Sequence, residues 1–117
     1  MARRSIPATA KRADTAAIFA ALGDETRLRI VGRLCEEGPL SIRRLTNGAK
    51  VSRQAITKHL HALEQAGLAR GSRTGRESVW KLRANRLANV QRYLDQISQD
   101  WDAALGRLQA FVEEDEQ

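Results

Sequence analysis

Aromatic residues make up only 4% of the chain, too few for the stacking platform that a general single-strand nucleic-acid binder presents. A single cysteine, Cys35, excludes an intramolecular disulfide. No apolar run near the N-terminus has the form of a signal peptide, and none is long enough to span a bilayer. The expectation is a soluble cytoplasmic protein without a membrane partner. Catalytic patterns are missing too. There is no glycine-rich phosphate loop and no nucleophile motif, and Asp100 and Asp102 read as the solvated sides of a helix around Trp101. Neither an enzyme nor a cofactor is expected. His59 and His61 stand two apart, about 200° around a helix, so they face different ways. No second cysteine or acidic cluster accompanies them, and no metal site is expected.

What is present is charge, unevenly placed. The chain has 117 residues and a net charge of +6. Residues 1–83 carry 17 Lys/Arg against 7 Asp/Glu, whereas residues 84–117 carry 3 against 7. A basic excess suits a polyanionic partner, and here it belongs to the first two thirds. The length is that of one domain with a modest core, for which dimerisation is a natural way to bury more surface.

Residues 1–13, with Arg3, Arg4, Lys11 and Arg12 around Pro7, read as a flexible basic arm. Asp14 can cap a helix over 14–22 whose apolar face is Ala17, Ile18, Ala21 and Leu22. Asp24 can cap a second helix, with Leu28, Val31, Leu34 and Cys35 as its stripe and Gly38-Pro39 as its end. Cys35 on that stripe reads as a buried structural thiol. Ser41 can cap a short helix carrying Ile42 and Leu45, which Asn47-Gly48 breaks. Ser52 caps the next helix, over 52–66, where Ile56, Leu60 and Leu63 fall at i, i+4 and i+7 before Gly67. Two short helices across a tight connection are the sequence form of a helix-turn-helix. Residues 68–70 and 78–82 read as strands flanking a polar loop over 71–77, a hairpin with a basic tip, or wing. From residue 85 to 112 one helix follows, with Leu87, Val90, Leu94, Ile97, Trp101, Ala104, Leu108 and Phe111 spaced alternately three and four, and Leu105 and Val112 widening the stripe. Residues 113–117 read as a frayed acidic tail.

The informative segment is 52–66. Opposite its apolar face it presents Gln54, Thr57, Lys58 and His61, with Ser52 and Arg53 in the first turn. A helix fits the major groove, where Arg can pair with guanine, Gln with adenine, and Thr can touch a thymine methyl. Ser52 and Lys58 suit phosphates, which position without reading sequence. Arg73 and Arg76 are the candidate wing contacts. The long C-terminal stripe exceeds what short neighbouring helices can cover. Leu87, Val90, Leu94, Ile97, Trp101, Leu105 and Leu108 are therefore expected to meet a second copy, with Ile18 and Leu22 adding surface. A two-fold dimer predicts an inverted-repeat operator in double-stranded DNA.

Three motifs in order carry a family resemblance: ALGDETRLRI over 21–30, VSRQAITKHL over 51–60 and LEQAGL over 63–68. They resemble the ArsR-type winged-helix repressors, over residues 14–112. The resemblance implies an α+β, mainly α fold: a winged helix-turn-helix with a two-stranded β-wing and a long C-terminal dimerisation helix. It implies a homodimeric transcriptional repressor released by an inducer, here unknown. By position, Ser52, Arg53, Gln54, Thr57, Lys58 and His61 match the family's DNA-contacting helix, and the first and last helices match its dimer interface. Metal-sensing members carry a Cys-x-Cys pair where this chain has SIRRL over 41–45. The chain looks like the metal-independent branch, with Trp101-Asp102 near the C-terminus and a longer connection TNGAKV over 46–51. Two other readings stay open: a regulator that senses redox change through Cys35, and a winged-helix protein-interaction module.

Overall fold

The computed structural model describes residues 8–115. Helix α1 spans Ala8–Leu22 and α2 spans Glu25–Glu37. A two-residue strand β1, Leu40–Ser41, leads into α3, Ile42–Thr46, and then α4, Arg53–Gln65. The hairpin is β2, Ala69–Thr74, with β3, Glu77–Leu82, and the chain closes on α5, Ala84–Asp115.

The helix starts follow from local chemistry. The first backbone N–H groups of a helix lack partners, and a short polar side chain can accept from them. Asp24 accepts from Arg27 N at 3.0 Å, Ser41 Oγ from Arg44 N at 3.1 Å, and Ser52 Oγ from Ala55 N at 3.1 Å. At the far end of α4 the backbone closes a Schellman turn. Leu68 N donates to Leu63 O, Gly67 N donates to Glu64 O, and Gly67 takes φ +81°, a conformation open to glycine without strain.

Helix α1 departs from expectation at its start. It begins at Ala8, because the ATAKRA stretch ahead of Asp14 is rich in the strongest helix former. Asp14 is therefore inside the helix, with its carboxylate 3.6 Å from Arg86 of α5. The arm residues Arg3 and Arg4 lie outside the described residues.

A second correction concerns α2. Its core face is Ile30 and Leu34, while Leu28 is 54% exposed and Cys35 is exposed. The apolar residues of α2 form one broad arc, with Ile30 and Leu34 buried at one edge, Val31 packed against the core in the middle, and Leu28 and Cys35 exposed at the other edge. Of the expected stripe, Val31 and Leu34 meet the core, whereas Leu28 and Cys35 do not. The Cys35 thiol thus sits at the surface, not in the core.

The sheet also exceeds expectation. Its order is β1-β3-β2, all antiparallel, with Leu40 opposite Trp80 and Ser41 opposite Val79. The third strand is too short to leave a periodic signal. The hairpin stays paired out to Thr74 opposite Glu77, so the expected seven-residue loop shrinks to a Gly75-Arg76 turn. Glycine at the first turn position is what a two-residue hairpin of the II′ kind requires. Backbone pairing holds Ser72 and Arg73 extended although their side chains carry no strand pattern.

The core gathers Leu60 and Leu63 of α4 with Leu68, each 0% exposed, against Ile18, Ile30 and Trp80. Trp80 lies directly across the hairpin from Gly71, and a Cβ on Gly71 would stand 2.8 Å from the indole. Gly71→Ala is expected to lower stability by about 1–3 kcal/mol through overpacking. Urea denaturation of the variant checks this, and an unchanged midpoint would mean the ring moves aside freely.

Helix α5 leaves that core. Val90 is its one buried residue, and Leu87 packs beside it. Beyond Ile97 every described residue of the helix is exposed, through the acidic residues to Asp115. The radius of gyration is 19.5 Å, against about 13 Å for a compact domain of near this length. Among the described residues no helix is long and apolar enough to cross a membrane.

Candidate nucleic-acid interface

Helices α3 and α4 form the helix-turn-helix, and the burial of Ile56, Leu60 and Leu63 turns the opposite face of α4 outward. Arg53, Gln54, Lys58 and His61 are exposed there. The other two expected contacts are partly committed. Ser52 Oγ holds the helix start, and Thr57 is half-buried with its hydroxyl donating to Arg53 O at 2.9 Å.

His61 turns toward the hairpin. Its ring stands edge-on to Trp80 with centroids 5.5 Å apart, and Nδ1 is 3.5 Å from Glu64. It braces α4 against β3, which leaves Gln54 and Lys58, one turn apart, as the free centre of the face. His59 lies on the inner side. Arg27 Nη1 is 3.2 Å from His59 Nδ1, and Arg27 Nε donates to Ala21 O at 2.6 Å. Arg27 thereby ties the end of α1 and the start of α2 to α4. Two histidines on different faces match the sequence geometry.

The hairpin brings a further arginine into the picture. Arg53 at the start of α4, Arg76 at the hairpin tip and Arg43 of α3 line one cleft of about 240 Å³, with Ser41, Ser78 and the carboxylate of Glu77. Arg43 was missed from sequence, since the Arg43-Arg44 pair does not say which member faces the hairpin. Arg44 faces the other way, 3.6 Å from Glu37, which also takes Arg33 Nε at 2.8 Å. The Arg33 guanidinium holds the Glu37 carboxyl below its usual range, and the Arg27 N–H does the same for Asp24. Each of these carboxylates therefore supports folding above its ordinary pKa and loses that contribution as pH falls through the lowered value. Arg43, Arg53, Lys58, Arg73 and Arg76 have no carboxylate within ion-pair distance among the described residues. Three of these unpaired cations, Arg43, Arg53 and Arg76, share one cleft, an arrangement suited to a polyanion.

A family described as a helix-turn-helix domain matches residues 22–71, from the end of α1 into β2. The uncharacterized HTH-type transcriptional regulator YuzN of Bacillus subtilis is 44% identical over 69 residues, 54% of this chain and 75% of its own length. An ArsR-like transcriptional regulator from Rhodococcus sp. RHA1 superposes with a TM-score of 0.72 at 37% identity, over 85% of this chain and 92% of that one. The chain belongs to the ArsR-type family of transcriptional regulators. A more distant solved structure has the same fold: the homodimeric winged helix-turn-helix DNA-binding domain of Mb0332 from Mycobacterium bovis, at TM-score 0.63 and 22% identity, over 86% of this chain and 91% of that one.

The ArsR-type regulator thus carries the winged helix-turn-helix expected from its motifs, with one more strand. Of the surface expected to meet a second copy, Ile18 and Val90 are already buried in the chain's own core, and Leu22 and Leu87 are half-buried against it. Ile97 is half-buried too. Leu94, Trp101, Leu105 and Leu108 are exposed by 48 to 63%, as are Phe111 at 66% and Val112 at 47%. Helix α1 folds back over the core, so its share of open apolar surface is Phe19, which meets Tyr93 of α5 at 6.1 Å.

Proposed function

We propose that this regulator is a homodimeric repressor that reads an inverted-repeat operator, with α4 of each copy in a major groove and each hairpin at the adjacent backbone. The observation that carries the reading is the exposed Gln54 and Lys58 face of α4 beside the cleft of Arg43, Arg53 and Arg76. Gln54 reads a base edge, for which a bidentate pairing with adenine is the geometric match. Lys58 and the three arginines grip phosphates, which fixes register without reading sequence. This moves Arg53 from base reading toward the backbone, because it shares its cleft with two other cations. The unpartnered apolar stripe of α5 supports the dimer, and the Mycobacterium bovis neighbour, which is a homodimer, has the same fold. Two-fold symmetry sets half-sites about 34–36 Å apart, or a multiple of that. Repression follows from occupying DNA that polymerase needs, in the cytoplasm.

Selection of bound genomic fragments by the wild-type chain and by Gln54→Ala tests this. Gln54→Ala is expected to lose discrimination at one base pair per half-site, by roughly 1–3 kcal/mol. Lys58→Ala is expected to weaken all sequences about equally. Unchanged preference in Gln54→Ala would mean that another face of α4 meets the bases. No sequence-dependent binding at all would favour a protein-interaction module.

A further inference from the structure

A second cleft, of about 340 Å³, lies on the other side of the helix-turn-helix, between α2 and the connection that precedes α4. Its volume is at the lower end of the range typical of small-molecule sites. Its apolar lining is Val51, half-buried, with the almost fully buried Ile30, Leu45 and Ile56 behind it. The rim is charged. Arg33 there is already held by Glu37 and by the Arg44 carbonyl. Arg29 and Lys50 are exposed and have no carboxylate within ion-pair distance among the described residues, and Glu25 is the one acidic lining residue.

We propose that this cleft binds a small organic anion, a carboxylate on an aromatic or short apolar body. The apolar lining and the cationic rim demand the two parts of such a molecule separately. A bare inorganic anion would leave the lining empty of apolar contact. A DNA phosphate, fixed to its sugar chain, can reach Lys50 at the rim but cannot fill the cleft behind it. The bound body touches Val51 and Ile56, immediately before and within the first turns of α4, while its carboxylate lies against Arg29 of α2. Occupancy therefore bears on how α4 seats on the core. That consequence rests on α4 being the DNA-reading helix; binding itself does not.

The test is a titration of the 15N-labelled full chain, without DNA, with 1-naphthoate and with its neutral counterpart 1-naphthalenemethanol. Naphthoate is expected to give saturable amide shifts confined to Ile30, Ala49, Lys50, Val51 and their neighbours. The alcohol is expected to bind at least about tenfold more weakly, as carboxylate pairing with two cations implies. The double variant R29A/K50A is expected to lose naphthoate binding by a similar factor while its thermal midpoint stays at the wild-type value. Shifts scattered over the surface, equal affinity for the alcohol, or retained affinity in R29A/K50A would each overturn the proposal. So would a result in which R29A/K50A binds duplex DNA more weakly and naphthoate gives no saturable shift at the cleft, since the two cations would then serve the DNA backbone. Failure of the DNA-reading role of α4 would leave the naphthoate titration unchanged, so the two readings fail separately.

Discussion

Leu105→Asp is expected to convert the proposed dimer to monomer, raising the dimer dissociation constant at least about 100-fold. Leu105 is 53% exposed within a single chain and sits in the middle of the α5 stripe, between Trp101 and Leu108. In a two-fold interface one substitution acts on both copies. Removing a leucine from apolar contact costs about 1.5–3 kcal/mol, so two losses of the smaller size already give about 3 kcal/mol, or ~100-fold. An inserted carboxylate adds a desolvation cost. Sedimentation equilibrium at micromolar concentration reads the result, with far-ultraviolet circular dichroism to show that the core domain remains folded. A persistent dimer would move the interface to the other exposed apolar surface, the Leu28 and Cys35 side of α2.

The second large effect is expected from R43A/R53A/R76A. If each arginine grips a phosphate, each contributes about 1.5 kcal/mol as a charge-assisted contact, and the triple variant loses roughly 10³-fold in affinity for duplex DNA. Specific and unrelated duplexes should weaken together. The salt dependence sharpens the test, because each phosphate contact adds about 0.9 to the slope of log affinity against log salt. The triple variant should therefore flatten that slope by about 2 to 3 units. Fluorescence anisotropy over a salt series measures both quantities. Loss of affinity with an unchanged slope would mean that the arginines shape the protein and do not touch the backbone. All three side chains lie at the surface, so stability is expected to hold.

The two predictions differ in what made them visible. The α5 stripe was legible because apolar spacing along a single helix is a local property, and a helix of 32 residues leaves little ambiguity. The arginine cleft was not. Arg43, Arg53 and Arg76 come from separate parts of the chain, and the β1–β3 pairing, with α3 against β3 and α4 against β2, carries the hairpin alongside α3 and the start of α4. Nothing in the spacing of those residues marks the encounter.

The same division runs through the fold. Caps at Asp24, Ser41 and Ser52, the breaks at Gly38 and Gly67, and the outward face of α4 involve partners within a turn of one another, so sequence by itself determined them. Which part of the broad apolar arc of α2 is covered depends on what packs there, and only the tertiary structure decided that Ile30 goes in while Leu28 and Cys35 stay out. It likewise decided that Ile18 belongs to the chain's own core, that His61 leans on Trp80, and that the hairpin stays paired to its tip. Short-range hydrogen bonds and helical periodicity are written in neighbouring residues. Burial and strand pairing are set by contacts between distant ones, where each local choice has more than one acceptable partner.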